Sequence, residues 1–194
     1  MNLELQESLS IAFVLSFSTV MLLTPLLIRK LRNKGIVGPD ANKPGKPKIP
    51  RVGGITIVLA VSLASLISMQ LASQSLDLLS MLAAITTIIL ISFLGFMDDI
   101  LNIRDSYRVV LPAFAALPLM AVKAGTATMQ IPFLGEVNFD LGVFVFPFFG
   151  AVDINLYVLL LIPIGVVACS NLINLLAGFN GLEAGTGAII CVAL

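Results

Sequence analysis

The sequence predicts an all-α polytopic membrane protein with five spanning helices, the start of a sixth and a small external β-hairpin, in one integral-membrane domain over residues 1–194. Three observations carry that expectation. The 194-residue chain is 58% hydrophobic and 11% charged, whereas soluble chains carry about 25% charged residues. Its mean hydropathy is +1.06. Its uncharged runs recur near the length of about 20 residues that a spanning helix needs.

Ser8–Ile28 is the first run, with Pro25 near its end, which a helix in lipid tolerates. Met1–Glu7 ahead of it is acidic and has no basic residue, so the run reads as a retained helix and not as a secretory signal. Val52–Leu76 and Leu78–Met97 are the second and third runs. Val109–Val122 is only 14 residues long, between Arg108 and Lys123, whose long side chains can reach the interface and let it span as the fourth. Ile154–Ile173, extendable to Leu176, is the fifth. Ala184–Leu194 reads as the start of a sixth, so the chain is expected to be part of a longer protein.

The connections set orientation. Arg29, Lys30, Arg32, Lys34, Lys43, Lys46, Lys48 and Arg51, eight of the eleven basic residues, fall between the first two runs. Basic loops stay in the cytoplasm, which puts the N-terminus outside and Asp98–Arg108 and Gly178–Glu183 inside. The Pro- and Gly-rich stretch Gly35–Gly54 is not helical. Met129, Ile131, Phe133 and then Val137, Phe139, Leu141 alternate around Leu134-Gly135-Glu136, which reads as the external hairpin. Val143–Val152 is apolar, too short to span, and is expected to lie along the interface. Cys169 and Cys191 sit in apolar runs without metal-site spacing, and the chain has no His, which excludes His-based chemistry within it. No basic stripe interleaved with aromatics supports nucleic-acid binding.

Asp98-Asp99 ends the third run and is followed by Asn102, Arg104, Asp105 and Arg108. Carboxylates beside hydrocarbon are costly and repel each other. They are solvated caps, or they face a divalent cation, a phosphate or a mobile proton. Neighbouring helical side chains point about 100° apart, so the two can hold different roles. Asn171 and Asn174 share one helical face, either as helix-packing amides or as ligands. The helix then breaks at Gly178 and Gly181, and irregular backbone at membrane depth is tolerated where it lines a cavity. Asn42, Lys43, Lys46, Lys48 and Arg51 are headgroup contacts or cations for a diphosphate. Arg108 is a snorkelling anchor or a phosphate clamp. Taken together they supply carboxylates, amides and cations on one membrane face, the inventory of Mg²⁺-assisted phosphoryl transfer to a lipid acceptor.

Phe93-Leu-Gly-Phe-Met-Asp98-Asp99-Ile-Leu-Asn102-Ile-Arg104, with Leu111-Pro112 and Leu117-Pro118-Leu119, resembles the polyprenyl-phosphate N-acetylhexosamine-1-phosphate transferases. Asn171-Leu-Ile-Asn174-Leu-Leu-Ala-Gly-Phe-Asn180-Gly-Leu-Glu183-Ala-Gly185 does so too, nearest to the dolichyl-phosphate branch of eukaryotes and archaea. The resemblance implies transfer of GlcNAc-1-phosphate from UDP-GlcNAc to dolichyl phosphate, with UMP released and Mg²⁺ as cofactor, in the first step of lipid-linked oligosaccharide assembly. It implies catalytic roles for Asp98 and Asp99 and a Mg²⁺ ligand in Asn174. It implies substrate contacts at Asn42, Lys43, Arg108, Asn171, Asn180 and Glu183. Where the family usually has Lys, this chain has Arg108, which keeps the charge but not the shape. The expected partners are UDP-GlcNAc, dolichyl or another polyprenyl phosphate, and membrane lipid; a homodimer is possible. The expected location is the cell membrane for an archaeal protein and the endoplasmic reticulum membrane for a eukaryotic one, with the site on the cytoplasmic face. A further Asp ligand and the sugar-recognition loop would follow Leu194, so the 194 residues alone are expected to be inactive. The alternatives are a bacterial-type undecaprenyl-phosphate sugar-1-phosphate transferase, a noncatalytic membrane subunit, and an ion-coupled transporter. A transporter would place its ionisable groups near mid-membrane.

Overall fold

The computed structural model describes residues 3–39, 45–50, 53–72, 77–101, 103–146, 150–176 and 181–193. A long helix, α1 (Leu3–Asn33), is followed by a short ribbon of β1 (Val37–Pro39) and β2 (Lys48–Pro50). Helix α2 (Ile55–Leu71) runs back along α1 and leads to α3 (Leu78–Leu101). Gly35 at φ +71 lets the chain turn out of α1 after its basic last turn.

The α1–α2 seam is built from small residues at four-residue spacing. Thr56, Ala60, Ala64 and Ser68 are the buried face of α2, and small side chains let two helix backbones approach closely. Both ends of the seam are tied. Ser8 Oγ donates to the Ser68 carbonyl at 3.4 Å, and the hydroxyls of Thr24 and Thr56 share a hydrogen bond of 3.0 Å. These contacts fix α1 and α2 as antiparallel neighbours.

After α3 the chain forms α4 (Asp105–Ala115) and α5 (Leu117–Ala121), separated at Ala116. Pro112 and Pro118 remove two backbone donors across this stretch. Two antiparallel ribbons follow, β3 (Thr128–Ile131) with β4 (Gly135–Asn138) and β5 (Asp140–Phe146) with β6 (Gly150–Asn155). A π-helical turn, Tyr157–Leu161, opens α6 (Ile162–Leu176), and α7 (Leu182–Ala193) ends the described chain. The Ile162 N–H reaches back to the Tyr157 carbonyl, and Pro163 just beyond cannot donate, so the wider turn forms there. Gly125 lies under Tyr157; at φ +94, a Cβ there would run into the Tyr157 hydroxyl.

The small core gathers Ala116, Val158 and Ile162 beneath Leu119, Met120 and Val166. Most large apolar side chains face outward instead, among them Phe13, Phe17, Leu22, Phe114 and Ile189. In water that arrangement would be an aggregation hazard; it is the expected surface of a protein solvated by lipid.

Two sequence expectations are corrected. Five spanning helices and the start of a sixth were expected, but among the described residues only Gln6–Asn33 and Leu78–Leu101 are long and apolar enough to cross a membrane, judged by length and composition. The second, fourth and fifth uncharged runs overstate the helices within them. The run Val52–Leu76 holds a helix of 17 residues, about 26 Å long at 1.5 Å per residue, against a hydrocarbon core of about 30 Å. The run Val109–Val122 is split at Ala116. The run from Ile154 starts in strand β6 and a π-helical turn before α6, which has 15 residues. The described part of the last run lies in α7, of 12 residues. The fold is also not all-α with one hairpin. A hairpin forms near Met129–Leu141, turning at residues 132–134, but Val143–Phe146 and Gly150–Val152 belong to a second ribbon. A third joins parts of the Pro-rich loop.

Candidate functional site

The start of α2, the second half of α3, α4 and α6 enclose a cavity of about 630 Å³. Asp98 and Asp99 sit in the last turn of α3, which holds no basic residue. That is the negative end of the helix dipole, where a carboxylate is disfavoured and a cation is favoured. Arg108, one turn into α4, supplies a cation. Its Nη2 donates to Asp98 Oδ1 at 2.9 Å and lies 2.8 Å from Oδ2. The pair is partly open, with 38% of the Arg108 and 20% of the Asp98 side chain accessible; solvent therefore screens it, and its worth to stability is modest. Asp99 is exposed at the same rim.

Across the cavity, α6 contributes Ser170 and Asn171. The Asn171 amide donates to the Val167 carbonyl at 2.9 Å and to Ser170 Oγ at 3.4 Å. Its nitrogen is thus engaged on its own helix, which leaves the amide oxygen to meet a donor or a cation. From Asp99 the cavity follows α3 back to Ile89, about 15 Å at the helical rise. Val58, Ile89, Phe93, Leu94, Leu111 and Pro112 wall that stretch. The site is therefore amphipathic, with charges at the end of α3 and an apolar trough leading away from them.

The donor set suits a hard cation. Mg²⁺ takes oxygen ligands, commonly one or two carboxylates completed by water and substrate phosphates, and Asp98, Asp99 and the Asn171 oxygen are of that kind. Among the described residues no group of three His, Cys, Asp or Glu comes together.

Of the residues singled out in the sequence, the structure gathers Asp98, Asp99, Arg108 and Asn171 around this one cavity. Asn174 and Glu183 lie on the backbones of α6 and α7, with their side chains outside the described residues. Asn42, Lys43 and Asn180 fall outside the described residues altogether. Sequence reasoning missed Ser92, Ser170 and Gly54 as cavity residues. Ser170 could have been found as the neighbour of Asn171; a serine in an apolar helix and a glycine ahead of one gave no signal for the others.

Residues 78–194 match the family model described as glycosyl transferase family 4. A Saccharolobus solfataricus protein, provisionally named a UDP-N-acetylglucosamine–dolichyl-phosphate N-acetylglucosaminephosphotransferase, is 37% identical over 95% of this chain and 51% of its own length. The Dictyostelium discoideum protein of the same name is 33% identical over 82% of this chain and 40% of its own length. The phospho-N-acetylmuramoyl-pentapeptide-transferase of Corynebacterium kroppenstedtii is 32% identical over 92% of this chain and 54% of its own length. The chain spans about half the length of the curated relatives it matches.

Proposed function

The chain belongs to glycosyl transferase family 4, and from that premise we propose that the protein carrying it transfers GlcNAc-1-phosphate from UDP-GlcNAc to dolichyl phosphate. The observation that carries this reading is the amphipathic cavity: an apolar trough for a polyprenyl chain ends at Asp98, Asp99 and Arg108, where its phosphate would meet the nucleotide sugar. The sugar and the lipid are those named for the dolichyl-phosphate relatives.

An oxygen of the lipid phosphate attacks the phosphorus that bears the sugar. A new P–O bond forms there while the bond from that phosphorus to the bridging oxygen breaks, and UMP leaves with the bonding electrons. The acceptor phosphate is largely a dianion at neutral pH, so it needs positioning more than activation. The carboxylate pair would help hold the cation and orient the acceptor; Arg108 would face the diphosphate. Asn171 and Asn174 offer amide oxygens, and Asn42, Lys43, Asn180 and Glu183 contact the substrates. Mg²⁺, when bound, neutralises charge developing on the diphosphate. The trough excludes water from the lipid side.

The test is an extraction assay on membranes containing the full-length protein, with radiolabelled UDP-GlcNAc and dolichyl phosphate. Lipid-linked label with stoichiometric UMP and a Mg²⁺ requirement is expected. Release of UDP would mean transfer of the sugar alone and would refute the reading. Similarity to a Bacillus subtilis protein named as an undecaprenyl-phosphate N-acetylglucosaminyl 1-phosphate transferase favours a second acceptor class; faster turnover on undecaprenyl phosphate would replace dolichol in the proposal.

A further inference from the structure

The ribbon of β3 and β4 leaves the bundle at the end away from the carboxylates. The Arg108–Asp98 ion pair sets the start of α4 beside the end of α3, and α5 packs on α3 further back. The chain enters β3 at Thr128, soon after α5 ends at Ala121. The base of the ribbon is fixed: the Phe139 N–H donates to the Ala127 carbonyl and the Leu156 N–H to the Phe139 carbonyl, both at 2.9 Å. Register sorts the ribbon into two faces. Met129 pairs with Val137 and Ile131 with Gly135, while Thr128 pairs with Asn138 and Gln130 with Glu136. Alternate residues share a face, so one face is apolar and the other polar. At the tip, the Leu134 N–H donates to the Ile131 carbonyl at 3.1 Å, closing a turn through Pro132 and Phe133. Phe133 has φ +73, the left-handed position that such turns give to Gly or Asn. Its side chain is fully exposed, and so is most of Leu134. A bulky apolar residue is thus held on a strained backbone and presented outward.

We propose that this ribbon is a lipid-surface anchor: Pro132-Phe133-Leu134 enters the headgroup–acyl boundary of the bilayer at the end of the bundle opposite Asp98 and Asp99. A two-stranded ribbon alone is marginal in water, so its apolar face and tip need an apolar surface to rest on. Helices α1 and α3 are long and apolar enough to cross a bilayer, whose surface therefore lies at the end where the ribbon emerges. No charged residue lies between Lys123 and Glu136, so the tip enters without desolvating a charge. Phe and Leu are among the side chains that interfacial anchors bury there. Thr128–Asn138 carries no Lys or Arg, which makes the anchor indifferent to lipid charge. Because the ribbon's base is tied to Leu156, just ahead of the π-helical turn, the anchor holds the entry to α6 at a fixed depth.

The test places a nitroxide on the full-length protein in phosphatidylcholine nanodiscs, through Leu134→Cys or Glu136→Cys with the other cysteines replaced by Ser. Electron paramagnetic resonance then compares collisions with oxygen, which concentrates in lipid, and with a water-soluble nickel chelate. The label at position 134 should favour oxygen and the label at 136 the nickel chelate. Nickel access at 134 equal to that at 136 would overturn the proposal. A label at 134 shielded from both reagents would mean that protein covers the tip, from the same chain or a partner, and would overturn it too. Adding phosphatidylglycerol should leave the result unchanged; insertion that requires the anionic lipid would refute a neutral anchor. Phe133→Ser should raise nickel access at 134 several-fold, and no change would remove Phe133 from the anchor. Phe133→Gly, which relieves the left-handed backbone, should do the same. If only Ser exposes the label, turn geometry and not the ring sets the depth, and the proposal fails.

Discussion

At Asp98 and Asp99 the physical chemistry is least forgiving. Two carboxylates at the negative end of α3 have no structural reason to be there unless something positive meets them. Replacing Asp98 or Asp99 by Asn in the full-length protein should each lower UMP release by at least roughly a hundredfold, the scale of a positioned acid–base or electrostatic group. Wild-type rates at normal expression would return both residues to solvated caps. This part of the site was legible in the sequence because the cost of acids beside an apolar run is visible without a fold. Asn171 was legible for a similar reason, as an amide inside an apolar helix. Ser92, Ser170 and Gly54 were not, because they become site residues only when four separate elements converge on one cavity.

The helices owe their association to different devices. The seam of α2 against α1 depends on small side chains, and Ala60 is fully buried in it. Ala60→Leu should force the two backbones apart and cost about 1–3 kcal/mol, as overpacking commonly does; the outward-facing Leu63→Ala should have little effect in the same thermal melt. At the start of α3, Asp77 accepts hydrogen bonds from the Ser80 hydroxyl at 2.6 Å, the Ser80 N–H at 3.3 Å and the Leu79 N–H at 3.2 Å. The Ser80 hydroxyl, then the backbone donors, hold its carboxyl below the ordinary value of 3.8. A depressed carboxyl stabilises the fold above its unfolded pKa and loses that contribution as pH falls through the folded one. Melting temperature should therefore drop as pH falls below 3.8, and Asp77→Asn, which still caps, should remove that part of the drop. A pH profile identical in the two proteins would refute the cap's role. At this scale hydropathy alone misled: uncharged runs located the helices but overstated the lengths of the second, fourth and fifth. Pro112, Pro118 and Pro163 break or widen helices within runs that hydropathy reads as continuous. The alternating segment near Met129 was readable as a hairpin, whereas the near-continuous apolar run through β5 and β6 was not.

Across the whole molecule the charged groups separate along the helix axes. The hydrogen bonds Ser8–Ser68 and Thr24–Thr56 set α1 and α2 antiparallel, and Gly54 and Ile55 share the cavity with Asp98 and Asp99. One end of the bundle therefore carries the basic last turn of α1, the start of α2 and the end of α3. The other carries the start of α1, the end of α2 and Asp77. Both α1 and α3 have the length and apolarity to cross a bilayer, so the two ends should face opposite sides. Eight of the eleven basic residues fall in the end of α1 and its connection to α2, and the positive-inside rule assigns that end to the cytoplasm. Single cysteines placed at Lys34 and Asp99 in a Cys169→Ser, Cys191→Ser background should both resist a membrane-impermeant maleimide in intact cells. Cysteines at Glu7 and Asp77 should both react. If Lys34 and Asp99 label from different sides, the cavity does not belong to the basic end, and a cytoplasmic nucleotide sugar could not reach its carboxylates.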